Sequence, residues 1–275
     1  MEYKSVIDGI KVLERKDCKF YIIEYVSDEF KSILRKSLAE ICYGINKIKL
    51  GNSKFSFQNT VKEFLLRFQP IEDSLNDKQK GYLGELLTHI VLRNDNSVEP
   101  LSLYFNLEDR SFKKGFDLVF RNKTSKNVIL VEVKSGSKRA RQINTTETAK
   151  TLLNVAKDDF LNRLNNQEDR DRLWNNALSH LELAISNSNT EKMALQMLLN
   201  NQWESLSSKQ DLFLVAGVLE PLDEPICVDT VCSHHDTIRK NEKLNLLSDN
   251  ISIIIIHNNI FLDLYAFFLE VEKNG

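Results

Sequence analysis

The sequence predicts an α/β protein, a mixed β-sheet flanked by helices with a helical insertion, and three features carry that reading. Runs of β-branched and aliphatic residues such as NVILVEV (127–133) and ISIIIIH (251–257) are apolar on both faces, as a strand covered from two sides requires. Segments whose apolar residues recur at helical spacing lie between these runs. The 275 residues, 42% hydrophobic and 28% charged, have ordinary globular proportions, enough for one large domain or two small ones.

In chain order, FYIIEYV (20–26) reads as a strand. DEFKSILRKSLAEICYGI (28–45) follows as an amphipathic helix with Phe30, Ile33, Leu34, Leu38 and Ile41 on one face. The stretch 53–57 is too short to assign. A connector with a proline, FQPIEDSLN (68–76), suggests an N-terminal α/β elaboration over 1–75 and a core over 76–275. The core opens on DKQKGYLGELLTHIVLRN (77–94), whose Tyr82, Leu83, Leu86, Leu87, Ile90 and Val91 form the wide stripe of a helix packed on a sheet. Strands are expected at 101–107 (LSLYFNL), 116–120 (FDLVF) and 127–134, the last two joined by the polar turn RNKTSK. Beyond the basic SKRARQ (137–142) the pattern turns helical through an insertion at 145–205, followed by strands at 211–219 and 251–257 and a C-terminal segment, 261–274, that reads as a helix in preference to a strand.

The net charge of −2 gives no whole-chain signature of nucleic-acid binding, so such a contact rests on a local patch or on a partner. Four cysteines in a chain this long make no disulfide framework and point to reduced thiols. The charged N-terminus has no secretory core and no apolar run is long enough to span a bilayer, so a cytoplasmic protein is expected. P-loop, GxSxG and HExxH patterns are absent.

The strand at 127–134 poses a chemical problem. Residues two apart in a strand project to one face, so Glu132 and Lys134 point together, roughly 7 Å apart along the backbone. If 116–120 and 127–134 pair about the Thr124–Ser125 midpoint, Asp117 sits across from Glu132 with Cβ atoms about 5 Å apart. Two carboxylates that close repel and raise one another's pKa unless a cation lies between them. Hard oxygen ligands with open positions suit Mg²⁺ or Mn²⁺, which acidifies bound water and neutralises charge on a phosphate. Lys134 is placed to orient the attacking water or stabilise the pentavalent phosphorus. Glu85 is a candidate third carboxylate, and Gly84 before it lets the helix approach the sheet. The alternative is a structural ion pair of Glu132 with Lys134 or an arginine, since E-x-K triplets are common on exposed strands.

Together GELLTHIVL (84–92), GFDLVF (115–120) and ILVEVKSG (129–136) resemble the PD-(D/E)xK nuclease superfamily. The resemblance implies a restriction-endonuclease-like core in which Glu85, Asp117, Glu132 and the Val133 carbonyl hold Mg²⁺ or Mn²⁺ and Lys134 serves the nucleophile. Phe116 stands where that superfamily has its eponymous proline. More narrowly the chain resembles the HamA/AbpA-type proteins of bacterial anti-phage defence. That likeness implies a DNA nuclease restrained until a superfamily 2 helicase (HamB/AbpB-like) engages DNA; the competing reading is a non-catalytic DNA-binding or scaffold subunit that docks a helicase.

Lys138, Arg139 and Arg141 after the charged strand are candidate phosphate contacts, or else a solvated loop; Lys113 and Lys114 read similarly. Cys227, Cys232, His234 and His235 match no standard zinc spacing, and the two histidines read as part of a polar loop. His89, one turn after Glu85, is placed either to support the site through a hydrogen bond or to lie on a helix surface. Trp174, Leu178 and Leu181 in the insertion read as core, or else as a face whose exposed portion docks a partner helix or domain.

Overall fold

The computed structural model describes residues 2–70, 74–103, 116–140, 142–165 and 210–274, together with isolated helical positions at 168, 175, 177 and 181. The strands are β1 (Lys4–Ile7), β2 (Ile10–Arg15), β3 (Cys18–Ile23), β4 (Val98–Pro100), β5 (Leu118–Asn122), β6 (Val128–Gly136), β7 (Gln210–Leu219) and β8 (Ser248–Asn258). They form one sheet in the order β1-β2-β3-β8-β7-β6-β5-β4. The four central strands β3, β8, β7 and β6 run parallel to one another, and an antiparallel pair, β1–β2 or β5–β4, adds to them antiparallel at each edge.

Helices cover both faces of the sheet. On one side α1 (Asp28–Tyr43), α3 (Phe57–Arg67), α4 (Asp77–Arg93) and α8 (Phe261–Lys273) bury a core that includes Ile129, Val131 and Val133 of β6. The short α2 (Ile45–Lys49) follows α1 on that side, its Ile48 packed against the same core. On the other side α5 (Thr145–Asn165), α6 (Val228–Ile238) and α7 (Glu242–Leu247) pack with Val128 and Leu130 of β6. Alternate residues of β8 divide the same way, Ile254 and Ile256 toward the first layer, Ile253 and Ile255 toward the second. Burial on both faces is why the strand reads as an unbroken apolar run.

Several boundaries differ from expectation. The first two strands are short and are broken by exposed residues, Lys4–Val6 in β1 and Lys11 and Glu14 in β2, and they do not stand out as strands. Ser53–Phe55 is a 3₁₀ turn leading into α3, where the Ser56 side chain caps the helix by accepting from Asn59 N. Within the expected strand 101–107, Leu101–Leu103 is irregular; β4 lies just upstream and ends on Pro100, and residues 104–107 fall outside the described set. Phe116 and Asp117 precede β5 rather than belonging to it.

The α4 helix begins where its sequence announces it. Asn76 Oδ1 accepts from Gln79 N, and Gln79 Oε1 accepts in return from Asn76 N, a reciprocal capping box. The segments before and after residue 75 share one sheet and one core: β3 pairs in parallel with β8, and Phe64 of α3 lies 5.7 Å from Phe268 of α8, ring centre to ring centre.

Candidate functional site

The β5–β6 hairpin fixes the first element of the site. Its turn is built by Asn122, whose Oδ1 accepts from the backbone N–H groups of Thr124 and Ser125, and by Lys126 at φ 64°. The resulting register pairs Leu118 with Val131 and Arg121 with Val128, so Asp117, one step further, comes opposite Glu132. This is the register expected from the symmetry of the turn. Asp117 does more than face its partner: Oδ2 accepts from Val133 N at 2.7 Å and so extends the ladder one rung past the end of β5.

Glu132 continues the Val128–Leu130 row, which places its carboxylate under α5, only 1% exposed. A buried carboxylate needs partners, and two cations provide them. Lys134 Nζ donates to Glu132 Oε1 at 2.9 Å, and the Arg163 guanidinium donates to the same oxygen. Arg163 Nη1 also lies 3.8 Å from Asp117 Oδ1. Asp159, one turn before Arg163 on α5, accepts from Lys134 Nζ at 2.9 Å. Three carboxylates and two cations thus interlock between β6 and α5.

Burial pushes the Glu132 carboxyl above the usual carboxylate range, and neighbouring Asp117 pushes it further; Lys134 and Arg163 oppose the shift. For Lys134 burial works toward the neutral form, but Glu132 and Asp117 outweigh it and hold the ammonium charged. Arg163 is likewise held charged against burial by Glu132, Asp117, Asp159 and Glu85.

Glu85 stands in the other layer. Gly84 places α4 against Ser135 of β6 and Gly217 of β7, on the face opposite Glu132 and Lys134, and from there the Glu85 carboxylate reaches the site through its field on Arg163. Among the described residues no three Asp, Glu, His or Cys side chains converge as a metal cage. The sheet therefore brings Asp117, Glu132 and Lys134 together, and Glu85 is coupled to them through Arg163.

The flanking candidates are held by local partners. Lys138 Nζ pairs with Glu224 at 3.0 Å and its backbone N–H donates to Glu220, while Arg139 is largely exposed and lies 3.6 Å from Asp77. Arg141, Lys113, Lys114, Trp174 and Leu178 lie outside the described residues; Leu181 is fully buried in the α5-side core. The two histidines expected in a loop are on α6 instead: His234 Nε2 bonds Asn154 Oδ1 at 3.1 Å, and His235 is buried with Nε2 donating to the Ile251 carbonyl at 2.7 Å. They pack toward different neighbours and form no zinc set with Cys227 and Cys232. Nor is His89 on a helix surface; it is 1% exposed, its ring 5.5 Å from that of Phe120. Phe116 is buried in the α5-side core.

Asp159 and Arg163 were not visible as site residues in the sequence. Their spacing of four in KDDFLNRL places them side by side on a helix. Nothing in that segment says which strand the helix covers.

A mixed sheet that presents an Asp facing an E-x-K strand from its centre defines an α/β protein with a buried acidic and basic cluster. The HamA family model matches residues 2–273, nearly the whole chain, and the chain belongs to the HamA family, a family of defence-system proteins. No curated protein matches it significantly. No helix among the described residues is long and apolar enough to cross a membrane.

Proposed function

We propose that this chain is the metal-dependent DNA nuclease subunit of an anti-phage defence system, acting with a superfamily 2 helicase. The observation that carries the proposal is the hairpin register: Asp117 opposite Glu132, with Lys134 on the same face as Glu132. Two carboxylates close enough to share one guanidinium are also spaced to share one divalent cation, and both offer hard oxygen donors. A Mg²⁺ or Mn²⁺ ion bound there supplies charge neutralisation and an acidified water. Asp117 and Glu132 would hold it, with the Val133 carbonyl as a further donor, while Glu85 adds its negative field from the other layer. Lys134, kept charged by its two acidic neighbours, orients the nucleophile and faces the phosphate. Lys138, Arg139 and Arg141 follow on the same chain segment and would grip the flanking backbone.

One observation favours a second reading, a non-catalytic DNA-binding or scaffold subunit: the cluster satisfies its charges with its own Lys134 and Arg163. Degradation of plasmid DNA by the chain with its helicase partner in Mg²⁺ separates the two. Under the nuclease reading Glu132→Gln and Lys134→Met each lower the rate by about 10²–10³-fold, while both variants remain folded at the assay temperature and keep partner binding. Undiminished degradation by both variants would point to the scaffold reading.

A further inference from the structure

We propose that Arg163 and a divalent cation are alternative occupants of the Asp117–Glu132 pair, so that the last turn of α5 sets how tightly the site takes metal. The inference rests on the metal-binding reading above and goes beyond it in assigning the control of that site to a side chain of the same protein.

The geometry carries it. Arg163 lies in the last turn of α5 and touches both facing carboxylates, donating to Glu132 Oε1 and standing 3.8 Å from Asp117 Oδ1. A cation in that place removes the repulsion between the carboxylates, the same service a divalent ion performs. Both claim the same place, between Asp117 Oδ1 and Glu132 Oε1. A hard divalent ion holds its oxygens at about 2.0–2.1 Å in a near-octahedral shell, and Glu132 Oε1 is already shared by Arg163 and Lys134. The other carboxylate is committed too, because Asp117 Oδ2 is bound to Val133 N, leaving Oδ1 as the oxygen turned toward Arg163.

The Arg163 side chain is 27% exposed, so the guanidinium borders solvent rather than lying in a sealed core. Asp159 lies one turn earlier and holds Lys134, so a shift of this helix end alters both contacts to the charged strand together. The measured affinity for metal is then the intrinsic affinity reduced by the fraction of molecules with Arg163 turned away. Any partner that engages the end of α5 changes that fraction without touching the carboxylates.

The test is Mn²⁺ binding by the full chain, followed by electron paramagnetic resonance of the free ion, with no nucleic acid present. Arg163→Met keeps the apolar stem and removes the competing charge; it is expected to bind Mn²⁺ at least tenfold more tightly than wild type. Its melting temperature is expected to fall without metal and to recover with Mn²⁺. Arg163→Gln, which keeps a donor for Glu132, covers the case in which the methionine variant fails to fold. A variant that folds only with Mn²⁺ supports the proposal; one that stays unfolded with Mn²⁺ overturns it by making Arg163 a structural residue. Equal or weaker Mn²⁺ binding by the variants, with binding still abolished by Asp117→Asn, overturns the competition and leaves the metal reading standing. Absence of Mn²⁺ binding in folded wild type and folded variants alike sinks both.

Discussion

Gly84 governs how closely the two layers approach. A Cβ there would sit 2.6 Å from Ser135 Cβ, and the place for a Cβ on Gly217 is 3.5 Å from Gly84 Cα. Helix and sheet meet backbone to backbone at this point, one residue from Glu85. Gly84→Ala is therefore expected to destabilise the protein by about 1–3 kcal/mol in urea denaturation. The Ser135 hydroxyl wedged between the two glycines is buried with no hydrogen-bond partner among the described residues. Ser135→Ala is expected to leave stability unchanged or slightly raised, since a buried unpaired hydroxyl costs on the order of 1–3 kcal/mol in desolvation. A large loss of stability in Ser135→Ala would show that the hydroxyl has a bonded role. The need for a small residue before Glu85 was legible in the sequence; the serine it makes room for was not, because nothing in β6 announces which helix lies above it.

β8 shows what an element can and cannot reveal. Its Ile253–Ile256 run is apolar on both faces and reads as a central strand without help. Its C-terminal end is different: His257 is buried, with Nε2 donating to the Glu220 carbonyl at 3.1 Å. Burial holds the imidazole below its ordinary value of 6.5, although Glu220 and Glu224 pull the other way. The unfolded chain then takes up a proton first, so stability is complete above pH 6.5 and falls as pH drops through 6.5 toward the depressed value. Melting temperature followed between pH 7.5 and 5 is expected to decline less in His257→Gln than in wild type; parallel declines would exclude this histidine. The same division of legibility runs through the site. Asp117 and Glu132 were readable because a hairpin obeys turn symmetry, a rule local in sequence. Arg163 and Asp159 were not, because the docking of α5 on β6 is decided by Ala149, Leu153, Ala156 and Phe160 against Leu130, Leu212 and Leu214, a contact that no single segment encodes.

At the scale of the molecule the first three strands are part of the sheet that carries the site. β3 covers the edge of β8 from Cys18↔Ile253 to Ile23↔Asn258, and Ile10, Val12, Tyr21 and Ile23 complete the core beneath α1 and α3. Removal of residues 2–26 is expected to expose that edge and abolish cooperative melting, with a gain in binding of a hydrophobic dye. A soluble, cooperatively melting remainder would instead make these strands an appendage.

The β3–β8 pairing also imposes an order on synthesis. β3 finds its neighbour β8 only after everything between Ile23 and Ser248 has been translated. Until then the N-terminal hairpin and α1 have no sheet to close upon, and the nascent chain carries unpaired apolar segments through most of elongation. A buried charged cluster in the middle of the sheet is therefore assembled late, after β7 and β8 have brought the two halves of the chain together.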